Sequence, residues 1–404
     1  MFTLSFIAKN MNICFLTTAY PDTPESPRGH FIQQIVSFLI KDGYQVSVVT
    51  PQIYKDTKLY DQHVGENIYR FQFLTKNKPL IKYERISIFR MLTFFISALV
   101  KTFQVIRKNR INLIHSHWII PSGIIGIIAS KIFNLPHVVT LRGDDILIFP
   151  YKNIILFNLT KYILRSSSHI IAVSSEIKER VITDFNIKSN KIDVIPNGVN
   201  TSRFRPISQR LAREKLGLPT SKKIILFVGE MIERKGLKYI LQSIPEIIND
   251  RSDAFFLFLG FTGGPYKEEM LSLQLLPHLK NHIAYFEDQP PRNVPIFLNA
   301  SDVLLLPSLW EGLPNVILEA LACGIPVIGT DIGGIKEVIS NGYNGFKINP
   351  KSSSEIINSV LTLLNDDHLY KKIKNNCRKS IEKYDMENQV KKMSEIYQDL
   401  IKER

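Results

Sequence analysis

The sequence predicts an α/β protein built as two doubly wound parallel-sheet domains, and three observations carry that expectation. At 404 residues the chain exceeds one ordinary core and fits two domains of about 200 residues each. Short apolar runs alternate with helical patterns along the chain, the signature of parallel strands joined by helical crossovers. The alternation halts at one polar, basic stretch near residue 200 and then restarts.

In order, MNICFLTT (11–18) reads as a buried first strand, and HFIQQIVSFLIKDG (30–43) as a helix ended by Gly43. YQVSVVT (44–50), NLIHSHWI (112–119), HVVTLRG (137–143) and HIIAVS (169–174) read as further strands. The stretch 200–223, with Pro206, Gly217 and Pro219, reads as the connection between domains. KIILFVGE (223–230), AFFLFLG (254–260), HIAYF (282–286), DVLLLPS (302–308), PVIGT (326–330) and GFKIN (345–349) supply the second set of strands. The last segment, 386–404, places Met386, Val390, Met393, Tyr397 and Leu400 at steps of three and four, with Ile396 widening the stripe. The expected division is 1–205, 206–383 and a C-terminal helix over 384–404.

Hydrophobic content of 45% and charged content of 22% are those of a soluble globular protein. Cys14, Cys323 and Cys377 form neither a metal nor a disulfide pattern, which fits a reducing cytoplasm. Residues 1–10 read as an upstream extension rather than a signal peptide. In the segment 86–110, Arg90 and Lys101 bracket only ten apolar or weakly polar residues, so a buried or interfacial helix is expected. Net charge is +14, and it is concentrated early: residues 1–200 hold 24 Lys and Arg against 13 Asp and Glu. Residues 55–110 hold twelve basic and four acidic side chains interleaved with Tyr and Phe, with Lys76, Lys78, Lys82 and Arg85 at their centre. No helix-turn-helix, zinc-finger or RNA-binding signature accompanies them, so the expected partner is an anionic membrane surface and not nucleic acid.

The richest stretch is PSLWEGLPNVILEALACGIP (307–326). Glu311 and Glu319 lie eight positions apart, and Pro314 is suited to open a helix that runs through NVILEALA and stops at Gly324. Glu311 then falls in the loop and Glu319 in the helix. That helix start presents backbone N–H groups at Leu313, Asn315 and Val316 that suit phosphate, Pro314 having none. Upstream, GEMIERKGLKYI places Arg234 and Lys235 in the loop after a strand that ends near Gly229. A guanidinium fork beside an ammonium can clamp a diphosphate, and the chain has no Asp-Xaa-Asp to hold a metal for that task. No Gly-Xaa-Gly-Xaa-Xaa-Gly follows the first strand, which weighs against a nicotinamide enzyme. His115 and His117 alternate along a strand and share a face, open to metal ligation, structural hydrogen bonding or ligand contact.

Glu311, Gly312, Glu319, Ala320, Cys323, Gly324, Pro326 and Val327 together resemble the retaining GT-B glycosyltransferases of glycosyltransferase family 4. Further landmarks recur in order: 28–30 (RGH), 115–117 (HSH), 140–145 (TLRGDD), 196–199 (PNGV) and 229–236. The resemblance implies two Rossmann-like domains facing across a cleft, a nucleoside diphosphate sugar as donor, a glycan or lipid-linked acceptor, and no metal or other cofactor. It assigns Glu319 to the ribose, Glu311 and Gly312 to the transferred sugar, and Arg234 with Lys235 to the diphosphate. It sets Gly29 against the donor phosphate and His117 at the donor sugar or acceptor. It also returns the C-terminal helix to the first domain. Arg28 stands where the family has glycine. Arg142 stands where it has histidine, and a permanent cation there favours an anionic or lipid-phosphate acceptor. Asp144 or Asp145 is a further cleft acid or an ordinary turn residue. His117, Arg234, Lys235 and Glu311 are thus the expected catalytic group. The expected function is sugar transfer in cell-surface polysaccharide or glycolipid assembly, peripheral at the inner face of the plasma membrane. A sugar nucleotide epimerase and a non-catalytic sugar-binding protein are the alternatives.

Overall fold

A computed structural model describes residues 11–75, 77–79, 87–261, 265–287 and 289–403. The extension at 1–10 and the side chains of Lys76, Lys82 and Arg85 lie outside these residues. The chain forms two compact units, one of residues 1–196 with 386–404, the other of residues 197–385.

The first unit carries an eight-stranded sheet ordered β3-β4-β2-β1-β5-β6-β7-β8. Its strands are β1 (Asn12–Leu16), β2 (Gln45–Pro51), β3 (Tyr60–Asp61), β4 (Asn67–Phe71), β5 (Leu113–His117), β6 (His137–Leu141), β7 (His169–Ala172) and β8 (Ile192–Val194). Every pairing is parallel except β3 with β4. Central strands of a parallel sheet are covered on both faces, which is why β5 and β6 are buried at every residue.

One layer packs Ile32, Ile35, Val36 and Leu39 of helix α1 (His30–Lys41) beside Met386, Val390, Met393 and Tyr397 of the C-terminal helix Met386–Lys402. The expected apolar stripe of that last helix is therefore buried in the first unit. The other layer packs Phe94, Ala98, Val105 and Ile106 of α2 (Ile88–Lys108) with Ile125 and Ala129 of α3 (Ile124–Phe133). Next to α3 lies α4 (Ile154–Ser166). Arg90 and Lys101 prove to sit inside one continuous 21-residue helix, capped at its start by the Ser87 hydroxyl. By length and composition, with a mean hydropathy of 1.4 over its most apolar window, α2 is long enough to cross a membrane. The ten-residue apolar core expected from the sequence understates it.

The second unit carries six strands, all parallel, ordered β11-β10-β9-β12-β13-β14. They are β9 (Lys223–Glu230), β10 (Ala254–Phe261), β11 (Ile283–Glu287), β12 (Val303–Leu306), β13 (Val327–Thr330) and β14 (Gly345–Ile348). The unit begins at Asn197 and not at 206, because the Asn197 amide donates to the Leu313 carbonyl at 2.8 Å and the Val199 N–H to the Tyr384 carbonyl at 2.8 Å. Most of the stretch read as a connection also belongs to it. Arg213, buried in a short helix Gln209–Leu216, pairs with Asp302 at 2.7 Å and donates to the Ala300, Thr220 and Lys222 carbonyls.

Candidate active site

In an open parallel sheet, ligands gather at the carboxyl ends of strands where the strand order reverses. The second sheet reverses between β9 and β12, and the expected donor residues lie just past those two strand ends. After β9, in which Gly229 is the next-to-last residue, the chain makes one short turn over Glu233–Lys235 and enters helix α5 (Leu237–Asp250) through Gly236. Gly236 has φ +70°, and a Cβ there would stand 1.9 Å from the Pro307 carbonyl oxygen. Only glycine permits that approach. The Leu309 N–H then donates to the Arg234 carbonyl at 2.8 Å, fastening the turn to the loop after β12.

That fastening brings Arg234, Lys235 and Glu311 together. One oxygen of Glu311 lies 2.5 Å from the Lys235 ammonium and 3.2 Å from the Arg234 guanidinium, and it accepts from the Ser308 hydroxyl at 3.1 Å. Ser308 is placed in turn by its carbonyl, which accepts from Thr330 of β13 at 2.6 Å. Gly333, at φ +48°, seats the next loop against the Glu311 carbonyl, which a Cβ would meet at 2.0 Å. The Gly334 N–H donates to the Gly312 carbonyl. A guanidinium and an ammonium converging on one carboxylate oxygen place two cationic donors at the strand ends, suited to a ligand with two phosphates.

Helix α6 (Asn315–Ala322) starts one residue later than the sequence suggests: Pro314 is extended, at ψ 124°, and serves as N-cap. No side chain caps the helix, so Asn315 and Val316 begin a first turn whose N–H groups suit an anion. Gly324 ends it at φ +76°. Glu319 sits in α6 as expected. Burial pushes its carboxyl up to about 7, against the pull of nearby Arg203. Arg203 was hidden from sequence reasoning because 200–223 read as a linker, and Ser308 and Thr330 because nothing in a lone hydroxyl marks it.

In the first unit the strand order reverses between β1 and β5. Gly29, after β1, caps α1 at φ +69°, and a Cβ there would meet the Ala19 carbonyl at 2.1 Å, so its own backbone already demands glycine. Arg28 is held by Asp22 through two hydrogen bonds of 2.8 and 2.7 Å and by the Thr18 carbonyl. His115 is fixed between Thr140 at 2.7 Å and the Tyr397 hydroxyl at 2.6 Å.

His117, fully buried, stacks on His115 at 4.5 Å, and its Nδ1 lies 2.9 Å from the Arg142 guanidinium. Arginine only donates, so Nδ1 accepts and the neutral ring carries its proton on Nε2, an atom buried with no partner among the described residues. Burial first, then His115 and Arg142, hold the imidazole well below its usual range. Arg142 also lies over the Phe31 ring. Asp145 is bound by the Arg142, Gly143 and Ile119 N–H groups, so it shapes the loop, while Asp144 is exposed.

Residues 29–203 match the family described as Glycosyltransferase Family 4, and residues 208–380 match Glycosyl transferases group 1. An uncharacterized glycosyltransferase of Methanocaldococcus jannaschii is 30% identical over 342 residues, 84% of this chain and 88% of that protein. The UDP-Gal:alpha-D-GlcNAc-diphosphoundecaprenol alpha-1,3-galactosyltransferase of Escherichia coli is 29% identical over 312 residues, 75% of this chain and 79% of that protein. Among solved structures, sucrose-phosphate synthase of Thermosynechococcus elongatus superposes with a TM-score of 0.83 at 20% identity, covering 98% of this chain and all of that one, a likeness of fold. With two parallel-sheet α/β units and family matches over both, the chain belongs to the GT-B glycosyltransferases of family 4.

Proposed function

We propose that the chain transfers a hexose, with retention and without a metal, from a nucleoside diphosphate sugar to a glycan or lipid-linked acceptor of a cell-surface polysaccharide or glycolipid. The meeting of Arg234 and Lys235 at Glu311 carries the reading. As the bond to the sugar breaks, negative charge grows on the departing diphosphate, and preorganised cations stabilise that charge most when it is fully developed. The first turn of α6 adds N–H donors, and Glu319 accepts from the ribose hydroxyls. Glu311, neutralised by two cations, is a poor nucleophile. Transfer on the face that the diphosphate leaves, with the departing phosphate taking the acceptor proton, therefore suits this pocket better than a double displacement through Glu311.

His117, with Nε2–H as its donor, would bind a hydroxyl of the sugar or acceptor, and Arg142 would fix that tautomer. A lipid-linked acceptor, the kind named for the Escherichia coli relative, would set the chain in the cytoplasm, peripheral at the inner face of the plasma membrane. The test is a donor panel with release of nucleoside diphosphate monitored, in the presence of a strong chelator. Arg234→Ala and Lys235→Ala should each weaken donor binding and turnover together, by about 10- to 100-fold, the worth of a charge-assisted hydrogen bond. Unchanged kinetics in both folded variants would remove the clamp, and loss of activity on chelation restored by a divalent ion would remove metal independence.

A further inference from the structure

Helix α2 is apolar on two opposite sides. Phe94, Ala98, Thr102 and Ile106, four apart, form the buried stripe on the sheet. Ile88, Leu92, Ile96 and Val100, also four apart and offset by two residues, form a second stripe that is exposed, Ile88 at 85%. An offset of two residues is about 200° around a helix, so the second stripe points away from the core. A helix that is also apolar on the side turned away from its core leaves that side in want of a partner.

The helices beside it continue that face. α2 packs on α3 and α3 on α4. Ile132 of α3 is exposed, as are Ile154 and Ile155 at the start of α4, at 69% and 73%. Across these three helices there is not one carboxylate, against seven cations: Arg90, Lys101, Arg107, Lys108, Lys131, Lys161 and Arg165.

We propose that the α2–α3–α4 face is the surface by which this protein docks on an anionic lipid bilayer. The α2 axis would lie in the membrane plane and its outer stripe would enter the headgroup and acyl boundary. This deepens the peripheral-membrane part of the proposed function. The chemistry favours that occupant over others. A second copy would set cation against cation, and a nucleic acid offers nothing to a row of exposed aliphatic side chains. A bilayer interface supplies apolar depth and negative charge in one plane. The insertion is shallow, because the inner stripe of α2 remains committed to the sheet.

Flotation of the full chain with phosphatidylcholine vesicles, with and without phosphatidylglycerol and without donor or acceptor, tests the proposal. Binding should require phosphatidylglycerol and weaken as salt rises. The triple variant Ile88→Ser, Leu92→Ser, Ile96→Ser should lower partitioning at least about tenfold. Lys101→Gln, Lys131→Gln and Lys161→Gln together should lower it on the order of 100-fold, about fivefold per cation. Ile88→Trp alters an exposed position alone, so it keeps the test open if the triple variant misfolds. Its added fluorescence over the parent chain should be quenched by brominated lipid. Binding indifferent to lipid charge, an unquenched Trp, or lipid-free self-association abolished by the Ser variant would overturn the proposal. Vesicle binding needs neither substrate, so loss of transfer with docking intact strikes the proposed reaction, and the reverse strikes this face.

Discussion

At the scale of single residues, Glu311 and Glu319 differ in what surrounds them, and the difference predicts opposite responses. Glu311 is neutralised by Arg234 and Lys235, so Glu311→Gln releases the Lys235 ammonium to the ligand. Affinity for the bare nucleoside diphosphate should then hold or rise while transfer falls. Glu319 faces one cation at a distance and is pushed up to about 7 by burial, so near neutral pH it is split between protonated and ionised forms. In the proposed role at the ribose, the ionised form offers two full acceptor oxygens, the protonated form one acceptor and one donor. Nucleotide affinity should therefore strengthen as pH rises through about 7 and level off above it, and Glu319→Gln should flatten the curve and weaken binding. The raised carboxyl has the opposite effect on folding: the native state holds the proton longer than the unfolded chain, so this group favours the fold at low pH. That contribution is lost as pH climbs from about 4.5 to about 7. Calorimetry across that range reads binding, and equal losses in both variants would refute the division of roles.

At the scale of elements, the turn Glu233–Gly236 decides whether the cations meet the acid at all. Gly236→Ala must relieve a 1.9 Å approach to Pro307 and a left-handed φ, a cost of about 2 to 4 kcal/mol. Thermal melts should show the loss of stability, and nucleotide binding should fall with it even though no ligand contact was removed. This is also where sequence reasoning reaches its limit. The strands of both sheets that are continuous apolar runs, such as 254–260 and 302–308, were legible because burial on both faces writes itself as hydrophobicity. β4 was not, since NIYRF places Arg70 inside the sheet edge, where it is fully buried and donates to the Lys58 and Pro21 carbonyls. β3 and β8, of two and three residues, are too short for any period to show. The acidic motif gave Glu311 in a loop and Glu319 in a helix. That Glu311 reaches Arg234 and Lys235, 76 positions from the latter, depends on which strands lie side by side, and spacing along the chain does not encode it.

At the scale of the whole molecule, the second unit is one unbroken segment, whereas the first is completed by residues from the far end of the chain. Removing everything after Asp385 strips Met386, Val390, Met393 and Tyr397 from the first core and Tyr397 from His115. At about 1.5 to 3 kcal/mol for each buried apolar side chain, the loss rivals the stability of a typical domain. Limited proteolysis of the truncated chain should therefore degrade residues 11–196 and spare 197–385. The same discontinuity sets an order of events at the ribosome. The second unit can fold as soon as it emerges, but the earlier-made unit must wait, its α1 layer uncovered, until the helix Met386–Lys402 is released. Every newly made molecule thus passes through a stage with one finished half and one unfinished half, and a nascent chain arrested near residue 385 should bind a holdase chaperone through its first half alone.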